Sequence, residues 1–120
     1  MSDEVRVTAT RFYPVDGHSP VYLTVTVGNA QIGSTVVTWG GKVEDPSSEI
    51  SYEQIGAAGD DLRSKLLVCN TIVKDVNATT NATSVRYVLE GGNATQTFDF
   101  EAEVAENGGF ATYAITFAFI

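Results

Sequence analysis

The chain of 120 residues has one cysteine, one histidine, three prolines and seven lysines and arginines. Each shortage excludes something. A single cysteine, Cys69, permits no internal disulfide and no cysteine-based zinc site. One histidine, His18, cannot supply a metal cluster. A nucleophilic Cys69 would need a positioned base beside it, and His18 lies in a turn-like segment far along the chain. Seven cations against fifteen carboxylates leave a net charge of −8 and a pI near 4.3. Phosphate backbones are bound by lysine and arginine, so a nucleic-acid partner is disfavoured, and so is an anionic membrane surface. No apolar run approaches the ~20 residues of a membrane helix. The opening MSDEVRVTATRF has no charged stretch followed by an apolar one, so no signal peptide is visible. Sequences of the HExxH, GxSxG and CxxC types are missing, as is a glycine-rich phosphate loop between strand and helix. The chain therefore reads as non-enzymatic.

What is present points to one all-β domain spanning 1–120. Hydrophobic residues make up 43% and charged residues 18%, as in a globular chain. Val5, Val7 and Ala9 alternate with Arg6, Thr8 and Thr10. Two prolines and a glycine between Pro14 and Pro20 then break the strand. Val21, Leu23, Val25 and Val27 alternate with Tyr22, Thr24 and Thr26, which predicts a second strand with an apolar inner face. Gly28-Asn29 and Gly33 read as turns, and Thr35 to Trp39 as a short strand. Lys42 to Ser64 is irregular, with Ile50 to Ile55 able to form a short strand. Leu66 to Val73 is apolar on both faces apart from Asn70 and Thr71. Such a strand suits the centre of a sheet, or one covered on both sides.

Lys65 to Ile120 reads as four antiparallel strands joined by three turns. Phe98, Phe100, Ala102 and Val104 alternate with Asp99, Glu101 and Glu103, and Asn107-Gly108 is a strong two-residue hairpin signal. That turn would pair Ala102 with Tyr113, Phe100 with Ile115 and Phe98 with Phe117. One strand earlier, a four-residue loop from Gly91 to Ala94 would pair Tyr87 with Phe98 and Arg86 with Asp99; it is preferred to a two-residue loop at Gly91-Gly92, which keeps the same faces but moves the pairs by two, because it brings opposite charges together. These strands and turns predict an antiparallel β-sandwich of seven or eight strands, immunoglobulin-like or related, with a small barrel as the alternative.

Four constellations are candidates for binding. Asp75, Asn77 and Asn81 form a loop that offers oxygens to calcium. The competing reading is an Asx turn. Asp60-Asp61 cannot join that site, because the intervening strand holds them roughly 25 Å away. Asn77, Asn81 and Asn93 each begin an Asn-Ala-Thr glycosylation pattern, or are plain turn residues. Asp99, Glu101 and Glu103, with Glu90, form an acidic row, suited to a basic partner or to solvent. Tyr22 and Trp39 are the two rings placed for a ligand such as a sugar. The leading expectation is a module working through protein–protein contact or self-association, as an accessory or structural part of an assembly. A carbohydrate- or calcium-binding adhesion-type module is the alternative. The long apolar segment Phe110 to Ile120 would offer an edge for strand addition if it lay at a sheet margin.

Overall fold

The computed structural model describes residues 4–28, 31–39, 42–43, 50–55, 62–76, 79–92, 94–104 and 108–120. Nine strands are described: β1 (Glu4–Tyr13), β2 (Val21–Val27), β3 (Ile32–Trp39), β4 (Lys42–Val43), β5 (Ile50–Ile55), β6 (Leu66–Lys74), β7 (Ala82–Glu90), β8 (Gln96–Glu103) and β9 (Phe110–Phe119). They form two packed sheets. One has the order β1-β9-β6-β3-β4 and the other β5-β2-β7-β8. The fold is therefore the expected β-sandwich, and the barrel alternative falls because the sheets do not close. The two-residue β4 takes the strand count past eight.

Alternation sets the faces. In β2, Val21, Leu23 and Val25 are buried while Tyr22 and Thr24 stand between them at intermediate exposure. In β9, Ala111, Tyr113, Ile115, Phe117 and Phe119 all point inward. Packing tyrosine and phenylalanine rings edge-on fills the space between the sheets. Tyr87 lies 5.9 Å from Phe100 and 5.7 Å from Phe117, centroid to centroid.

Two hydroxyl chains cross this core. Thr35 Oγ1 lies 2.8 Å from Thr71 Oγ1, which lies 2.7 Å from Tyr87 Oη. Thr83 Oγ1 donates to the Ala102 carbonyl at 2.7 Å and lies 2.6 Å from Tyr113 Oη. Each chain joins one sheet to the other, so polar groups buried by the sandwich satisfy each other across it.

The pairing corrects part of the sequence reading. Lys65 to Ile120 is not a four-stranded meander. The β7–β8 hairpin is real, with Arg86 opposite Asp99 and Tyr87 opposite Phe98 as expected. The β8–β9 hairpin is not. Strand β8 lies in the four-stranded sheet, and β9 lies between β1 and β6 in the other. Its Asn107 falls outside the described residues, while Gly108 has φ +84° and donates to the Asp75 carbonyl. Gly33, expected in a turn, is inside β3 opposite Val73. An immunoglobulin constant domain keeps its C, F and G strands in one sheet with the last two consecutive. Here β7 and β8 intervene between the neighbours β6 and β9.

The two ends of the described chain are joined by a parallel ladder from Glu4–Phe110 to Tyr13–Phe119. Strand β9 is thus central, and strand addition to it is overturned. Tyr13 fixes the far end of this ladder. Its hydroxyl donates to the Ala94 carbonyl and accepts from the Gly92 N–H, both at 2.9 Å. A Cβ on Gly92 would press on the Tyr13 ring.

Candidate interaction surface

The outer face of the five-stranded sheet is built by register. Phe12, Ala118 and Leu66 form one row across β1, β9 and β6. The next row is Thr10, Thr116, Val68 and Thr38, and after it Thr8, Ala114, Asn70 and Val36. Arg6, Thr112, Ile72 and Ser34 follow. A last row holds Glu4, Phe110, Lys74 and Ile32. Among the described residues, seven large apolar side chains are exposed, and five of them stand here: Phe12 (63%), Ile32 (61%), Leu66 (54%), Ile72 (51%) and Phe110 (41%). The charged groups among the described side chains of this face are Arg6 and Lys74, both toward one end. Threonine, alanine and valine fill the middle around Asn70.

The outer face of the other sheet is its opposite in charge. Glu90, Asp99, Glu101 and Glu103 line β7 and β8, with Arg86 among them. Arg86 Nε donates to Asp99 Oδ1 at 2.7 Å, and this bond holds the guanidinium pKa above its ordinary value. The pair is more than half exposed, so it marks register more than it adds stability. The sandwich therefore carries an acidic face and an apolar one, back to back.

The sequence pointed to other residues, and their positions are as follows. Tyr22 is on the outer face of β2, opposite Glu90 and Gln54. Trp39 shares the inward parity of Thr35 and Val37 and packs against the core. The two rings lie on different sheets and different faces, so they form no common platform. Asp75 is buried and sits at the end of β6, where its N–H donates to the Gly109 carbonyl at 2.9 Å. Its Oδ2 is buried without a hydrogen bond. Asn81 gives its carbonyl to the Val104 N–H at 2.9 Å. Asn77 lies outside the described residues, as do Asp60, Asp61 and Asn93. Gln31 organises this end: Oε1 accepts from the Val76 N–H at 2.8 Å, and Nε2 donates to the carbonyls of Ala82 and Thr80 at 3.0 and 3.4 Å. A side-chain amide thus holds the loop that the sequence offered to calcium. Among the described residues, no three of His, Cys, Asp and Glu are grouped to hold a metal ion. In the Asn81 glycosylation pattern, the Thr83 hydroxyl is buried and bonded within the core.

Cys69 is fully buried, and burial pushes its thiol up to about 12. His18 is exposed, and its N–H donates to Asp16 Oδ1 at 3.0 Å in an Asx turn. No helix of the described residues is long and apolar enough to cross a membrane. The apolar outer face was not among the candidates that the sequence offered. Its signal was β6 itself, whose residues are apolar on both faces. No protein-family model, curated protein or solved structure matches this chain.

Proposed function

We propose that the chain is a non-enzymatic β-sandwich module that works through protein–protein contact, as an accessory or structural part of an assembly, and that it docks through the outer face of its five-stranded sheet. The observation that carries this reading is that five of the seven exposed large apolar side chains among the described residues stand on one face, at its two ends, with small and mostly uncharged side chains between them. Proteins that stay single in solution rarely expose a contiguous apolar surface beyond a few hundred Å². Charge depletion at the centre of a patch is the compositional mark of an interface. Strand β6 is largely apolar on both sides, with Asn70 and Lys74 outward and Thr71 inward, as suits a strand covered on both sides, and its outer side has no cover within the described chain.

The test places a photo-crosslinking side chain at Thr116, on the apolar face, or at Thr97, on the acidic face, in extract of the source cells. Protein crosslinks should form several-fold more often from position 116. Equal yields, or more from position 97, would refute the reading.

A further inference from the structure

Resting on that reading, we infer that the occupant of this face is a second copy of the chain, packed sheet against sheet about a two-fold axis that lies across the strands. Size supports it. Four strands at ~4.8 Å and five rows ~6.8 Å apart project to about 650 Å². A stable pair needs about 800 Å² from each partner, measured on the rougher accessible surface.

Among the described side chains, charge selects the axis. An axis along the strands would lay the Arg6 and Lys74 end of one copy on the same end of the other. An axis across the strands reverses the ends. It keeps the two Arg6 side chains about two rows, or ~13 Å, apart, and sets Lys74 over the Leu66 row. The acidic faces then point outward, separated by three sheet spacings, or ~30 Å. That is several times the ~8 Å screening length at physiological ionic strength. A pair built on the acidic faces would instead press like charges together.

The axis across the strands also maps the middle row onto itself and keeps β6 over β6. Asn70 of one copy therefore meets Asn70 of the other. An amide carries both donors and an acceptor, so two can satisfy each other where either alone would lose its water. The central amide of this apolar face sits at the position where self-pairing makes it tolerable.

The experiment is light-scattering mass on the purified chain from 5 to 200 µM, with Asn70→Asp and Asn70→Lys variants alone and mixed. Position 70 is exposed, and a thermal melt confirms that each variant is folded. The wild-type chain should show twice the 12.8 kDa chain mass. Each variant alone places like charges face to face and should weaken the pair at least about a hundredfold. Mixing the two should restore the dimer. A wild-type chain that stays single at 200 µM overturns the inference, and so does a dimer that both variants leave intact. Variants that dissociate but do not recover on mixing overturn the placement of the axis. A single wild-type chain whose position 116 still crosslinks to other proteins in extract would end the second-copy inference and leave the docking face standing.

Discussion

Thr71→Val should be the most costly small change in the core, and its cost should vanish when its neighbours change with it. Thr71 is the middle of three buried hydroxyls, held 2.8 Å from Thr35 and 2.7 Å from Tyr87. All three residues are at most 3% exposed. Valine has nearly the shape of threonine, so no cavity opens. It leaves two hydroxyls without this partner, at about 1–3 kcal/mol each. The added methyl returns about 0.8 kcal/mol. The net loss is about 3 kcal/mol. At ~2.1 cal/mol/K per residue over 120 residues, that lowers the melting temperature by about 12 °C.

The end members behave differently. Tyr87→Phe leaves Thr71 bonded to Thr35, and Thr35→Val leaves Thr71 bonded to Tyr87. Each should cost about 1 kcal/mol. The triple variant removes every polar atom of the chain and keeps its shape, so it should lie close to wild type. Urea unfolding of the wild type, the three single variants, the triple variant and the Thr71→Val/Tyr87→Phe double, which closes a double-mutant cycle for that pair, measures the order directly. The reasoning fails if Thr71→Val costs no more than Tyr87→Phe, or if the triple variant is as unstable as Thr71→Val.

Two further outcomes follow from buried polar groups. Burial raises the pKa of Cys69 to about 12 and those of Tyr13, Tyr87 and Tyr113 above the ordinary tyrosine value. These groups are held neutral in the fold, so their stability is whole below about pH 9 and is lost as pH rises through the folded values. Unfolding free energy should fall above pH 9, and Cys69→Ala should remove up to ~1.4 kcal/mol per pH unit of that slope between pH 9 and 10. Gln31→Glu keeps an acceptor for the Val76 N–H but turns a carboxylate toward the carbonyls of Thr80 and Ala82. It should cost about 2 kcal/mol at pH 7 and recover part of that at pH 4, where the protonated acid can donate; equal loss at both pH values would refute it.

Faces were legible in the sequence, and sheet membership was not. A period of two says which residues share a side of a strand, but not which strand lies beside it. The expected β8–β9 hairpin shows the limit. Phe98 does meet Phe117, with centroids 5.0 Å apart, and Ala102 is joined to Tyr113 through the Thr83 hydroxyl. They meet across the sandwich, not along a ladder. Two inward faces must touch in either arrangement, and the Asn-Gly turn signal acts equally well on a link between sheets. The β7–β8 register was legible because Arg86 and Asp99 add a charge constraint that only one loop length satisfies. The apolar outer face could be read only in part. Alternating Leu66, Val68 and Ile72 were visible, but the threonines and alanines of β1 and β9 join them only once the parallel β1–β9 ladder and the antiparallel β6–β9 ladder are known.

The same topology bears on the proposal that the chain docks through a face and not an edge. Strand β1 is a sheet margin, and an exposed margin invites another strand. Arg11 answers that risk. It has inward parity, opposite Phe117, and its guanidinium lies 5.3 Å from the centre of the Phe100 ring. A cation pointing into the open side of a sandwich disfavours a strand that would close over it, because closing would strip the guanidinium of water. On the other sheet, Asp99, Glu101 and Glu103 line the marginal strand β8 and repel another copy of themselves. Charge thus guards β1 and β8, while the charges among the described side chains of the five-stranded sheet's broad face are Arg6 and Lys74, both toward one end. A sheet that needed only to remain soluble would carry its acids on that face too. With Glu90, Asp99, Glu101 and Glu103 on the opposite side, a second body docking as proposed would desolvate no carboxylate among the described side chains of the five-stranded sheet's outer face.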